Sequence, residues 1–135
     1  MADAPEREQV TTAGPLVVFL QRGGWADRYQ AATLAVTAAA LGDPVTVALF
    51  FDPLRLWVAG RFDEGAPPEA AGARVGSLAQ MLGEARRELG LEVVACDTAV
   101  RLAALDPDVA RRALDRIASL PSLWKAAREG RFVVV

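Results

Sequence analysis

The chain has 135 residues, enough for one domain but too few for two independent cores that each offset chain entropy. Hydrophobic residues make up 53% and charged residues 24%, which excludes a chain disordered throughout. The net charge is −2 with both signs interspersed, so the concentrated positive field of a nucleic-acid binder is missing.

Histidine is absent, which removes Ser-His-Asp and Cys-His constellations, histidine zinc sites and histidine proton shuttles. A single cysteine, Cys96, leaves no intramolecular disulfide and no CxxC metal or redox motif, and favours a reducing compartment. The acidic N-terminus lacks the apolar stretch of a signal peptide, and no apolar run approaches the ~20 residues that cross a bilayer. The expected location is the cytoplasm, with no membrane and no nucleic acid among the partners.

Residues 1–14 are polar and read as a flexible tail ahead of one domain over 15–135. Leu16 to Leu20 is a continuous apolar run of strand length, the pattern of a strand buried on both faces. Gln21-Arg22-Gly23-Gly24 turns the chain into an Ala-rich helix from Asp27 to Leu41, stopped by Gly42-Asp43-Pro44. Val45 to Phe51 predicts the second strand, and Leu54 to Ala59 a short helix. Residues 60–76 hold four glycines and two adjacent prolines without periodicity, the mark of a functional lid or a mobile loop.

Ser77 caps a predicted helix to Leu89, terminated by Gly90. Leu91 to Ala95 is the third strand with Cys96 at its carboxyl end, and Asp97-Thr98 starts a helix to Leu105. Asp108 to Leu114 reads as further helix. Arg116 to Leu120 fits either a continuation of that helix or a short strand before Pro121. A helix over Ser122 to Glu129 and a strand from Phe132 to Val135 complete the chain. This alternation predicts an α/β sandwich with a mostly parallel sheet, whose ligands gather beyond the carboxyl ends of the strands. Those ends are Gln21-Arg22, Phe51-Asp52, Cys96-Asp97 and, with a fourth strand, Leu120-Pro121.

Cys96 is the leading candidate. Unpaired N–H groups at a helix start favour a thiolate by ~0.3 to 2 kcal/mol. Arg22 or Arg101 would add to this, whereas an inward-turned Asp97 would oppose it. The competing reading is a small, buried and inert side chain. Gly23-Gly24 carries neither nucleotide fingerprint and reads as a tight turn. Asp27, Asp52, Asp63 and Glu64 have no ligand spacing, so no metal is expected. Trp57 follows the second strand end, where it would wall the Cys96 pocket or fill a protomer interface; Trp25 and Trp124 read as core or contact residues.

The segment Gly90-Leu91-Glu92-Val93-Val94-Ala95-Cys96-Asp97-Thr98-Ala99-Val100 resembles the DsrE-like (DsrE/DsrF, TusD-type) sulfur-relay proteins. In these a glycine-preceded apolar strand delivers a cysteine followed by a small-residue helix. The order of elements from Leu16 to Val135 agrees, including Leu49-Phe50-Phe51 and Leu123-Trp124. The resemblance implies a three-layer α/β/α sandwich with a five-stranded sheet, a fourth strand within Arg116 to Leu120, and homo-oligomers, trimers or hexamers. It also implies a sulfur carrier in which Cys96 accepts and relays persulfide sulfur between donor and acceptor proteins, without a cofactor. Asp97 and Thr98 would stabilise the sulfur anion, with Gln21, Arg22, Phe51 and Trp57 around it. Two departures stand out: Arg22-Gly23-Gly24-Trp25 at the first turn, and Asp52-Pro53-Leu54-Arg55 where a glycine-containing stretch is usual. The rival function is a non-catalytic oligomeric binding or scaffold module with an inert cysteine.

Overall fold

The computed structural model describes residues 14–135, so the expected tail lies outside the described residues except for Gly14. Five strands alternate with helices: β1 (Leu16–Leu20), α1 (Trp25–Ala40), β2 (Val45–Leu49), α2 (Phe51–Val58), α3 (Pro68–Gly72), α4 (Leu78–Leu89), β3 (Glu92–Cys96), α5 (Asp97–Leu102), α6 (Pro107–Ala113), β4 (Arg116–Ala118), α7 (Leu120–Glu129) and β5 (Arg131–Val134). The sheet order is β4-β3-β2-β1-β5 and every neighbouring pair is parallel. Arg116 to Ala118 is therefore the fourth strand, settling the helix-or-strand ambiguity.

The register sorts side chains by face. Val18 lies beside Val47, and Ala48 beside Val94. The first face, with Leu16, Val18, Leu20, Val47 and Ala95, packs against alanines of α1 and apolar residues of α4, α5 and α6. Ala31, Ala32 and Ala35 are fully buried, and their small side chains let α1 lie close on the sheet. The second face, with Ala48, Val94 and Ala118, packs against Leu123 of α7. Helices thus cover both faces in a three-layer α/β/α sandwich, with α7 the one helix on the second among the described residues.

Several boundaries differ from expectation. β2 stops at Leu49, and Phe51 opens α2 instead of ending the strand. Pro53 sits in the first turn of α2, where a missing N–H costs no helical bond. The aperiodic 60–76 segment contains α3, with Pro68 in its first turn.

The start of that segment, Phe62 to Glu64, is latched by side-chain contacts. Phe62 is buried edge-on to Trp57 at 5.3 Å. The Asp63 carboxylate accepts from the Ser77 hydroxyl at 2.6 Å and from the Leu78 and Ala79 N–H groups, capping α4. Arg28, only 4% exposed, donates to the carbonyls of Gly23 (3.2 Å), Phe62 and Glu64 (2.7 Å). Burial lowers the Arg28 pKa from its ordinary value, against the opposing field of Asp63, Glu64 and Asp27. Among the described residues, no helix is long and apolar enough to cross a membrane.

Candidate functional site

The chain leaves β3 into α5, on the first face of the sheet, but leaves β4 into α7, on the second. Neighbouring strands whose following helices diverge in this way open a crevice at their carboxyl ends. A cleft of about 370 Å³ lies there. Its walls are Phe50 and Phe51 after β2, Cys96 to Ala99 and Leu102 along α5, and Ser119 to Pro121 after β4.

Cys96 is the last residue of β3 and the N-cap of α5. Its sulfur accepts a hydrogen bond from the Ala99 N–H at 3.3 Å. The residue is 5% exposed, so the thiol forms part of the cleft wall with little of it reaching the surface. The donor is Ala99 in place of the expected Asp97 and Thr98, because a cap side chain reaches the N–H of the third helical residue; the Thr98 N–H instead donates to the Asp97 carboxylate at 2.9 Å. Asp97 is also paired with Arg101 at 3.5 Å, and Arg101 donates to the Thr98 hydroxyl at 3.1 Å. The carboxylate thus serves its own helix start, and Arg101 is engaged there too.

The other candidates divide. Phe51 stands at the cleft with φ of +51°, a left-handed conformation unusual for a bulky residue. Gln21 lines an adjoining cavity of about 380 Å³ with Phe19, Phe50, Leu120, Trp124, Phe132 and Val134. Arg22 is exposed and lines neither space; its N–H donates to the Val135 carbonyl at 3.3 Å. Trp57 is absent from the Cys96 cleft. Its indole N–H donates to the Ala113 carbonyl at 2.7 Å and its ring packs on Phe62, tying α2 to α6 and to the latched segment. These contacts half-bury Trp57 within its own chain.

The remaining polar candidates have local tasks. At Gly23 an added Cβ would lie 2.8 Å from the Asp52 side chain, so the small residue lets two strand-end turns meet. Asp52 pairs with Arg55, and Glu64 with Arg61. No group of three or more acidic or cysteine side chains that could hold a metal comes together among the described residues.

Phe50, Ala99, Leu102 and Ser119 escaped the sequence reading of the site. Leu120 and Pro121 were legible as a strand end, conditional on a fourth strand, but had no chemistry to single them out. What this arrangement offers chemically is a thiol at an apolar cleft with one main-chain N–H aimed at its sulfur. No known protein-family model matches the chain and no curated protein matches it in sequence, so the DsrE-like resemblance rests on the residues quoted for it.

Proposed function

We propose that the protein is a sulfur carrier of the reducing cytoplasm, with Cys96 as the acceptor of persulfide sulfur. The Cys96 thiolate attacks the outer sulfur of a donor persulfide. A new S–S bond forms to Cys96, the donor's own S–S bond breaks, and the donor leaves as its thiol. The reverse exchange hands the sulfur to an acceptor thiol. Donor and acceptor are other proteins, and the carrier itself is homo-oligomeric, as a trimer or hexamer. The observation carrying this reading is the Cys96 sulfur at the β3–β4 crevice, hydrogen-bonded by Ala99 N–H. An N–H aimed at sulfur can donate to charge that develops there during the exchange, as oxyanion donors do in acyl transfer.

The test is intact-protein mass spectrometry after incubation with a low-molecular-weight persulfide. One added sulfur, about 32 Da, should appear on the folded protein, be removed by a thiol reductant, and be missing from Cys96→Ser. No gain on the wild-type protein refutes the proposal.

The low exposure of Cys96 favours a second reading, a non-catalytic binding or scaffold module with an inert thiol. Thiol titration separates the two. Labelling in the native state supports the carrier; labelling only after denaturation supports the module.

A further inference from the structure

A sulfur atom that exchanges with Cys96 has to enter the cleft, because the residue itself is only 5% exposed. At about 370 Å³ the cleft is at the small end of ligand pockets. It admits a projecting stretch of extended chain, whereas a broad protein surface stops outside it. The walls then decide what chemistry that stretch can carry.

Those walls are nearly without charge. Phe50, Phe51, Leu102, Leu120 and Pro121 supply much of the lining. Asp97 is the one ionised side chain that lines the cleft among the described residues, and Arg101 and the Thr98 N–H already engage it. A charged group brought into this space would give up water and meet no free counter-ion.

The apolar lining continues beyond the cysteine. Phe50 and Leu120 wall both the cleft and the aromatic cavity of about 380 Å³, so the two spaces adjoin across those side chains. Within that cavity Trp124 meets Phe132 edge-on at 5.2 Å, and Phe132 meets Phe19 at 6.4 Å. These ring contacts preform its wall, yet Trp124 and Phe132 remain 47% exposed. Gln21, the one polar residue of the lining, is uncharged.

We propose that the sulfur-exchanging partner carries its cysteine on an extended, uncharged segment. The partner's thiol enters the Cys96 cleft, and an apolar side chain two residues away from it enters the aromatic cavity. Side chains at i and i+2 of an extended chain point the same way, about 6.5 Å apart. One such step leads from the cleft across the shared Phe50 and Leu120 into the space beside it. The inference rests on the reading of Cys96 as a sulfur carrier: a partner that exchanges with this thiol must occupy the cleft, and its neighbouring residues then lie over the aromatic wall.

End-blocked peptides X-Gly-Cys-Gly-X, activated as 2-pyridyl disulfides, test it with X as Phe, Glu or Lys. The Cys96 thiolate attacks the peptide sulfur, a peptide–Cys96 disulfide forms, and pyridine-2-thione leaves and is followed by its absorbance. Each rate is divided by that of the urea-unfolded protein, which removes the intrinsic reactivity of the probe. The Phe probe should then exceed the Glu and Lys probes by about tenfold, the effect of partly burying one aromatic side chain. Trp124→Glu and Val134→Glu, each shown by circular dichroism to be folded, should cut that preference to below about threefold. Neither should change the rate with methyl methanethiosulfonate, which needs the cleft alone. Equal rates for the three probes, or a preference that both variants leave intact, overturn the apolar segment and leave the sulfur carrier standing. A native thiol that neither the peptides nor methyl methanethiosulfonate can label overturns both.

Discussion

Replacing Arg28 by methionine keeps an unbranched stem in the core and removes the guanidinium, so it isolates what the latch contributes. Three carbonyls lose a donor: Gly23, Phe62 and Glu64. Hydrogen bonds to a charged group contribute about 1.5–3 kcal/mol each, which would overstate the sum here. The Gly23 and Glu64 contacts are part-buried and water can replace the donor, whereas the Phe62 contact is buried and its carbonyl would be left unpaired. The methionine also avoids the cost of desolvating a cation. A net loss of about 3 kcal/mol follows, near the upper range of single substitutions.

Urea unfolding followed by circular dichroism measures the loss, and trypsin cleavage at Arg61 and Arg74 reports whether 60–76 is released first. Arg28→Lys should recover only part of the stability, because one ammonium cannot reproduce the fork that reaches carbonyls on both sides of the turn. A change in Arg28→Met below about 0.5 kcal/mol, with the segment still protected from trypsin, would refute the latch.

Two further substitutions probe backbone and charge. Ala104 is exposed with φ of +57° after the end of α5, so Ala104→Gly should raise stability by about 1 kcal/mol in the same unfolding assay. Burial acts to raise the Asp115 pKa, but hydrogen bonds from Arg86 and the Val93 N–H, with the charges of Arg86 and Arg116, outweigh it and hold it below the ordinary value. A depressed folded pKa contributes stability that is present above the unfolded value and lost as pH falls through the folded one. The stability difference between wild type and Asp115→Asn should therefore shrink as pH drops below about 4, and a difference constant down to pH ~2 would contradict that origin.

Local signals in the chain carried most of the architecture. Continuous apolar runs ending at Leu20 and near Leu49, and Gly90 closing a helix, predict a parallel sheet between helices, because a strand buried on both faces cannot alternate apolar and polar residues. The position of Cys96 at a strand end was legible for the same reason. Other features depend on contacts distant in sequence. Three residues from Arg116 to Ala118 are too few to show a period, and pairing with β3 makes them a strand. Nothing near Arg28 in the sequence singles it out, and its role comes from the two carbonyls that the 60–76 segment brings to it. Trp57, two turns past a strand end, looked like a cleft wall, but α2 turns it toward Ala113.

The amino-acid order alone thus determined the layers, the alternation of elements and the edge of the sheet at which the thiol stands, since these follow from hydrophobic runs and their breaks. Only the tertiary structure decided which main-chain N–H meets the Cys96 sulfur, which residues wall its cleft, and that Trp57 ties α2 to α6. Those depend on the face of the sheet each connecting helix takes, and hydrophobicity along the chain does not encode that choice.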